Sequence, residues 1–238
     1  MTGNVNILRI DKIISRFNGL AFNHIPKTGG SYIRKIALKK HGIPAGHWVC
    51  VDEAAGCLGD RAWEENCLGI SELKGALIFS VVRNPFDLLV SMYNYGWPHP
   101  RNEKPFPSFR CFAEAYCDPD YKWPVPWQKN FLFFQIFDKD SICRSPLVLR
   151  TERLDEGLEK LCAQFDIVPS ISPDRVNPSR PAGKNYKHYY SENLRYLVKK
   201  KCERELDLFG YDFDGPDDRI IIDTSGIKYN PLTDGGLQ

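Results

Sequence analysis

The most regular apolar stretches of this chain are short, and two of them lead through a polar turn into a helical pattern. The first stretch covers 20–24 and precedes a helical pattern over 31–40. The second covers 77–83, is rich in β-branched residues, and precedes a helix that begins at Asn84-Pro85. Short apolar stretches of this kind are typical of buried parallel strands, and their alternation with helices predicts an α/β fold. Further elements are expected as a strand over 145–150 and helices over 154–165 and 191–209.

The length of 238 residues suits a single domain over 1–238 with one α/β core. An amphipathic stripe in 1–19 predicts an N-terminal helix or leader that packs on the domain. The segment 94–127 is expected to be an irregular excursion, because seven prolines from Pro98 to Pro126 interrupt it. The polar, glycine-bearing tail over 224–238 is expected to fray.

The turn after the first predicted strand has the composition of a phosphate-binding loop. It reads His24-Ile-Pro-Lys-Thr-Gly-Gly-Ser31, so a lysine and two glycines lie between strand and helix. Glycines allow the backbone to approach a ligand closely, and the N–H groups at a helix start attract anions. Lys27 adds a mobile positive charge. The lysine precedes the glycines, whereas in the usual nucleotide loop it follows them, which weakens a kinase or GTPase interpretation. A glycine-bearing turn without a ligand is the alternative.

The turn after the second predicted strand carries an arginine and, eight positions later, a serine. Arg83 ends the strand at the edge where open α/β sheets bind ligands, and Ser91 follows two turns into the helix. The guanidinium offers two donors to a phosphate, and the serine hydroxyl offers one more. A magnesium-binding strand would end in an aspartate instead. These residues therefore predict a second anion site that works without a metal.

Together the two motifs resemble those of the sulfotransferases that use 3′-phosphoadenosine 5′-phosphosulfate (PAPS). The residues of the two motifs are most similar to those of the carbohydrate branch that includes the heparan sulfate 2-O-sulfotransferases. The resemblance extends over about 20–213. It implies a P-loop-like three-layer fold, with a central parallel sheet flanked by helices. It also implies in-line transfer of a sulfuryl group to an acceptor hydroxyl, leaving 3′-phosphoadenosine 5′-phosphate (PAP), with no metal.

The resemblance assigns roles to the residues of both motifs. Lys27 is expected to stabilise the charge that develops on the oxygen bridging sulfur and phosphorus. The 5′-phosphate is expected to be held by Thr28, Gly29, Gly30 and Ser31, and the 3′-phosphate by Arg83 and Ser91. Transfer to a hydroxyl also calls for a general base.

His47 is the favoured general base. It lies in Ala45-Gly46-His47-Trp48, between the two phosphate motifs, and resembles a Gly-His segment of the uronyl 2-O-sulfotransferases whose histidine is catalytic. Asp52 and Glu53 follow closely and are the reserve candidates, because other branches use a glutamate. His24 is expected to pack or hydrogen-bond within the turn.

Two further segments contain candidate binding residues. The aromatic segment 94–127 is interpreted as the acceptor side of the site, with Trp97, His99 and Trp123 as substrate-binding candidates. A hydrophobic cluster under a long loop is an equal alternative. The basic segment 176–184 supplies Arg180 and Lys184 as cofactor candidates, because a late basic loop closes over the nucleotide in relatives. A solvated surface loop is the alternative there.

Composition adds limits on location and partners. The 32 lysines and arginines nearly balance the 30 aspartates and glutamates, so nothing indicates nucleic-acid binding. No apolar run approaches the roughly 20 residues of a membrane helix. Eight cysteines occur without a Cys-x-x-Cys pair, which favours reduced thiols and a cytoplasmic enzyme.

The acceptor stays open at this stage. A carbohydrate hydroxyl is favoured by the resemblance alone, and a small secondary metabolite is the alternative, since an aromatic excursion could enclose one. Two other classes remain: a nucleotide kinase, which needs Mg²⁺ and ATP, and a nucleotide-binding module without catalysis. The missing metal aspartate disfavours the kinase, and the presence of both Lys27 and His47 disfavours the module.

Overall fold

A five-stranded sheet organises the part of the chain that the structure describes. The structure, a computed structural model, describes residues 10–46, 48–50, 67–69, 73, 75–96, 106–123, 132, 136–137, 143–172 and 185–227. The sheet contains β1 (Gly19–Asn23), β2 (Ala45–Gly46), β5 (Ala76–Val82), β6 (Leu147–Arg150) and β7 (Ile221–Asp223), in the order β2-β1-β5-β6-β7. All neighbours are parallel except β6 and β7. Strands β3 (Trp48–Cys50) and β4 (Cys67–Gly69) form a separate parallel pair.

The register brings three strand ends to the same edge of the sheet. Asn23 at the end of β1 pairs with Ser80 on β5, and Val82 at the end of β5 pairs with Arg150 at the end of β6. The turns that follow β1, β5 and β6 therefore start side by side. This is the edge at which parallel α/β sheets bind ligands.

Helices connect the strands and cover both faces of the sheet. The helix after β1 begins as α1 (Gly30–Tyr32), widens into a π-helical turn (Ile33–Ala37) and ends in a 3₁₀ turn (Lys39–His41). The longer helices are α2 (Pro85–Tyr95), α3 (Phe109–Cys117), α4 (Leu154–Ala163), α5 (Glu192–Lys201) and α6 (Glu203–Phe209). Short 3₁₀ turns cover Thr151–Arg153 and Tyr186–Tyr189. No helix among the described residues is both long enough and apolar enough to cross a membrane.

The two faces of the sheet bury separate apolar clusters. Phe79 and Val81 point to one face, where they pack with α1, its π-helical continuation and α4. Val82 and Val148 point to the other face, where they pack with α2, α3, α5 and α6. This alternation follows from the two-residue period of a strand, and it confirms the predicted α/β fold with a mainly parallel central sheet and helices on both sides.

Element positions agree with the sequence pattern, and the details of three elements differ. The helix expected over 31–40 is not a uniform α-helix, since the N–H of Leu38 bonds to the carbonyl of Ile33, five residues earlier. The helix expected over 191–209 is broken at Cys202, whose backbone leaves the helical region. In the excursion 94–127, residues 109–117 form α3, so the prediction of an irregular segment is wrong there: Ser108 caps the helix, and its apolar face is buried.

Residues near both ends of the described chain pack against the rest of the domain. Residues 10–14 are helical, and Ile13 and Ile14 are buried in the core. Fraying from residue 224 onward is wrong for Thr224, which is fully buried and whose hydroxyl donates to the carbonyl of Ser145. Residues 1–9 and 228–238 lie outside the described part.

Candidate functional site

The loop between β1 and α1 has a left-handed backbone at two positions. Lys27 has φ 67° and Gly29 has φ 96°. The Thr28 hydroxyl donates to the carbonyl of Ile25 at 2.8 Å, which closes the loop on itself. The helix then starts at Gly30. Gly29 therefore meets the expectation that this turn requires glycine for its conformation.

Gly30 is required for a different reason, which is lack of space. A Cβ atom at this position would overlap the His24 imidazole ring. That ring stacks on Phe22, with the ring centroids 5.7 Å apart. The backbone N–H of His24 also donates to the carbonyl of Gly46 at 2.7 Å, which joins β1 to β2. His24 thus packs within the turn and shapes it, as the sequence suggests.

The Lys27 side chain lies over an aromatic ring in a partly buried position. Its Nζ atom is 4.0 Å from the centroid of the Tyr95 ring, at the end of α2. Burial, and secondarily the charge of Arg83, lowers the pKa of Lys27 to about 8. Removal from water costs a cation part of its hydration energy. The Lys27 ammonium is therefore well prepared to interact with an anion.

Arg83 connects the two predicted anion-binding turns directly. It follows β5, is buried, and its Nη1 donates to the carbonyl of Lys27 at 3.0 Å. Its Nε donates to Asp87 Oδ2 at 2.8 Å, so a carboxylate orients the guanidinium from within α2. The sequence gives no sign of this ion pair beyond the four-residue spacing, which on its own is common in helices.

The start of α2 has the structure that the sequence predicts. The Asn84 side chain accepts from the N–H of Phe86 at 3.1 Å, and Pro85 occupies the first helical position. Ser91 lies two turns further along and is completely buried. Arg83 thus lies directly before the cap of a helix whose first eight residues are all buried, and Ser91 lies within that helix.

A third turn, after β6, belongs to the same edge and carries site residues that the sequence did not reveal. The Thr151 hydroxyl lies 2.8 Å from the carbonyl of Thr28 and 3.0 Å from that of Val82. Glu152 accepts from the backbone N–H of Asn84 at 2.9 Å and from the Tyr211 hydroxyl at 2.7 Å. Two polar residues directly after a parallel strand were the available signal, because that is where sheet ligands bind.

Below this edge, the strands share a buried polar cluster. The Asn23 amide donates to the Ser80 hydroxyl at 3.0 Å and to the Ser145 hydroxyl at 3.2 Å, and the two hydroxyls are 2.6 Å apart. All three side chains are fully buried. Buried polar groups that bond to each other specify one arrangement of the elements that carry them. The cluster fixes β1 against β5, and with it the two turns above.

Of the remaining candidate residues, Trp123 is described by the structure. Trp123 is packed against Phe106, Phe112, Tyr116 and Tyr121 and is 8% exposed, so it lies in the core and presents little surface to an acceptor. This arrangement favours the hydrophobic-cluster alternative for that part of 94–127. The other candidates lie outside the described residues: His47, Asp52, Glu53, Trp97, His99, Arg180 and Lys184.

Fold and site together define an α/β protein with two cationic turns on adjacent parallel strands. Within the described part of the chain, no group of three His, Cys, Asp or Glu side chains is placed to hold a metal ion. The chain matches no family model and no curated protein. Among solved structures it is similar to the crystal structure of mouse sulfotransferase SULT7A1 complexed with PAP, with 15% identity, coverage of 82% of this chain and 88% of that chain, and a TM-score of 0.44. A likeness of this size carries no conclusion about function.

Proposed function

We propose that this protein is a sulfotransferase that moves a sulfuryl group from PAPS to an acceptor hydroxyl. The observation that carries the proposal is the direct contact between the two cationic turns, in which Arg83 Nη1 donates to the carbonyl of Lys27 at 3.0 Å. Two anion sites so close together suit a ligand with phosphates at both ends of one nucleoside. PAPS and PAP have this character, and the sequences of both turns resemble PAPS-binding motifs.

The local chemistry of the first turn fits a phosphosulfate. Gly29 permits the left-handed backbone of the loop, and Gly30 leaves room for the His24 ring against the start of α1. Lys27 is partly desolvated, which strengthens its attraction for an anion. Ser31 adds a hydroxyl group in the first turn of α1, whereas the Thr28 hydroxyl already donates to the carbonyl of Ile25, so Thr28 would contact a phosphate through its backbone. These residues would hold the 5′-phosphate, while Arg83 and Ser91 would hold the 3′-phosphate.

The transfer step follows from these positions. The acceptor oxygen forms a bond to sulfur as the bond from sulfur to the 5′-phosphate oxygen breaks. The electron pair of the broken bond stays on that phosphate oxygen, where Lys27 would stabilise the charge. The hydroxyl proton passes to a general base. Positioning and electrostatics account for most of the catalysis in such transfers, as in phosphoryl transfer.

His47 remains the proposed base, with Asp52 and Glu53 in reserve. It lies outside the described residues, and its neighbour Gly46 supports the proposal. Gly46 ends β2, the strand beside β1, and its carbonyl accepts from the N–H of His24 within the Lys27 loop. Gly46, the residue before the proposed base, therefore ends its strand beside the proposed donor site.

The acceptor is proposed to be a carbohydrate hydroxyl, with a small secondary metabolite as the alternative. The described residues favour neither, because Trp123 is in the core and Trp97 and His99 lie outside them. A cytoplasmic location is likewise proposed from the cysteine pattern alone.

Calorimetric titration with PAP, with and without Mg²⁺ and with ATP as the comparison, tests the proposed function. Micromolar, metal-independent binding of PAP with little response to ATP is expected. Lys27→Ala and Arg83→Ala should each weaken binding, while Lys39→Ala, an exposed cation on the same helical segment, should not. Preference for Mg-ATP would replace the proposal with a kinase.

Turnover of labelled PAPS then separates a catalyst from a binding module. The assay is run against a panel of glycans and small hydroxylated compounds. His47→Ala is expected to bind PAP normally and to lose transfer. If it keeps substantial transfer, the base is Asp52 or Glu53 and the assignment of His47 is wrong.

A further inference from the structure

The turn after β6 contacts both anion-binding turns at once, through the side chain of Thr151. We propose that Thr151 is a positioning residue that fixes the spacing between the two phosphate sites. The proposal rests on the proposed function, since it concerns a ligand that occupies both sites. It adds a third turn to the two that the motifs identify.

The hydroxyl of Thr151 is shared between two carbonyls. It lies 2.8 Å from the carbonyl of Thr28, inside the lysine loop, and 3.0 Å from the carbonyl of Val82, the residue before Arg83. A hydroxyl has one proton, so a single donor serves both acceptors. The two carbonyls therefore cannot move apart without weakening this interaction.

The methyl group of Thr151 faces the same loop at Gly29. A Cβ atom built on Gly29 would lie 4.0 Å from Thr151 Cγ2 and 3.2 Å from Leu154 Cδ2. A side chain larger than that of glycine at this position would therefore press on the turn after β6.

The neighbouring residue holds the second anion site in the same way. Glu152 accepts from the N–H of Asn84, the residue after Arg83, at 2.9 Å. The hydroxyl of Tyr211 donates to the other oxygen of Glu152 at 2.7 Å and so holds that carboxylate in place. Residues 151 and 152 together bind the backbone on each side of Arg83, at Val82 and Asn84.

This arrangement has a specific consequence for ligand binding. A nucleotide with phosphates at both ends requires the two sites at a fixed separation, whereas a nucleotide with one phosphate does not. Loss of the Thr151 hydroxyl should therefore weaken binding of a nucleotide with two phosphates much more than binding of a nucleotide with one phosphate. A residue that serves only folding would show no such difference.

The test compares three ligands on three forms of the full-length protein. PAP, adenosine 5′-phosphate and adenosine 3′-phosphate are titrated into wild type, Thr151→Val and Thr151→Ser, and thermal unfolding of each form is recorded without ligand. Valine removes the hydroxyl and keeps the shape, whereas serine keeps the hydroxyl. Thr151→Ala replaces the valine variant if that variant does not fold.

The expected result is a selective loss. Thr151→Val should bind PAP about tenfold more weakly, which is the size of effect expected for the loss of one hydrogen bond. The affinity for each single-phosphate nucleotide should fall by less than about twofold. Thr151→Ser should bind all three like wild type. Unchanged PAP affinity in Thr151→Val, or an equal loss for all three ligands, overturns the proposal. Failure of wild type to bind PAP would instead refute the proposed function.

Discussion

At the residue scale, Lys27 combines a left-handed backbone with a partly buried ammonium group. A left-handed conformation costs a non-glycine residue about 1 kcal/mol or more, so the surrounding loop must hold it in place. The carbonyl of Lys27 accepts from Arg83, and its Nζ lies over the Tyr95 ring. Both ends of this residue are thus fixed by α2 or by the turn that precedes it.

The lowered pKa of Lys27 predicts that PAP binding depends on pH. Because burial lowers that pKa to about 8, the ammonium loses its proton as the pH rises through this value, and its attraction for phosphate is lost. PAP affinity should fall about tenfold or more between pH 7.5 and 9.5 in wild type. Calorimetry at several pH values measures this.

Lys27→Met provides the control for this pH dependence. Its PAP affinity should be low and nearly flat over the same range. A fall of the same size in the methionine variant would show that another group causes it.

Gly30 gives a second prediction at this scale. Gly30→Ala should displace the His24 ring, lower the free energy of unfolding by about 1–3 kcal/mol and weaken PAP binding, because the added Cβ has no room. Gly19→Ala is the matched control, since a Cβ there has no atom within 4 Å. Chemical denaturation measures both. The addition of His24→Ala to Gly30→Ala should restore much of the stability; no recovery would contradict the proposed overlap.

At the element scale, helix α6 contains a buried carboxyl group, which belongs to Glu205. Burial raises the pKa of its carboxyl group to about 7, while the charges of Lys201 and Arg204 oppose the shift. The unfolded chain has the ordinary, lower value. The folded state therefore binds a proton that the unfolded state releases between pH 4.5 and about 7. Stability contributed by the protonated form is lost as the pH rises through this window.

The Glu205→Gln variant tests the predicted loss of stability with rising pH. Near pH 5 the variant and wild type should have similar stability, because both carry a neutral group at this position. Near pH 8 the variant should be more stable, by on the order of 2 kcal/mol. Denaturant unfolding at the two pH values measures the difference. If the variant instead loses stability relative to wild type between pH 5 and pH 8, the raised pKa of Glu205 is contradicted.

The elements also show how far the sequence could be interpreted. Both strand–helix turns of the site were predictable, because each combines an apolar run with a residue type that determines the turn: Gly29 through its φ, and Asn84 through its cap. The break at Cys202 was not predictable, since neither glycine nor proline marks it. Helix α3 was missed because prolines flank it on both sides, although Ser108 is a normal cap.

The Thr151 contacts could not be predicted for a different reason. They join residues that are 123 and 69 positions apart in sequence, and no local pattern encodes such a distance. Only the strand order, with β1 and β6 on the two sides of β5, brings the three turns together. The motifs therefore predicted two turns as anion sites, and the topology shows which third turn lies against both of them.

At the scale of the whole molecule, one buried arginine connects the sheet to the C-terminal elements. Arg150 at the end of β6 is fully buried and pairs with Asp217 at 2.6 Å. Its guanidinium also donates to the carbonyls of Phe209, Asp217 and Arg219. A buried charge of this kind is tolerated because all these acceptors surround it. It anchors the end of α6 and the chain that leads to β7.

Arg150→Met is expected to destabilise the whole domain. Removal of the guanidinium leaves the carbonyls of Phe209, Asp217 and Arg219 without this donor, at a cost of about 3 kcal/mol or more in free energy of unfolding, although the Asp217 carboxylate keeps its pair with Arg219. Arg110→Met is the control, because the Arg110–Glu114 pair is exposed and contributes little. Denaturation midpoints measure both. If both variants unfold at the wild-type midpoint, the anchoring role of Arg150 is wrong.

The central claim is that the Lys27 loop and the Arg83 turn hold the two ends of one nucleotide, and a crystal structure of the PAP complex tests it most directly. The account predicts the 5′-phosphate at residues 28–31 beside Lys27, and the 3′-phosphate against Arg83 and Ser91, with Thr151 still bonded to the carbonyls of Thr28 and Val82. PAP bound at another surface, or with one phosphate away from both turns, would contradict the account.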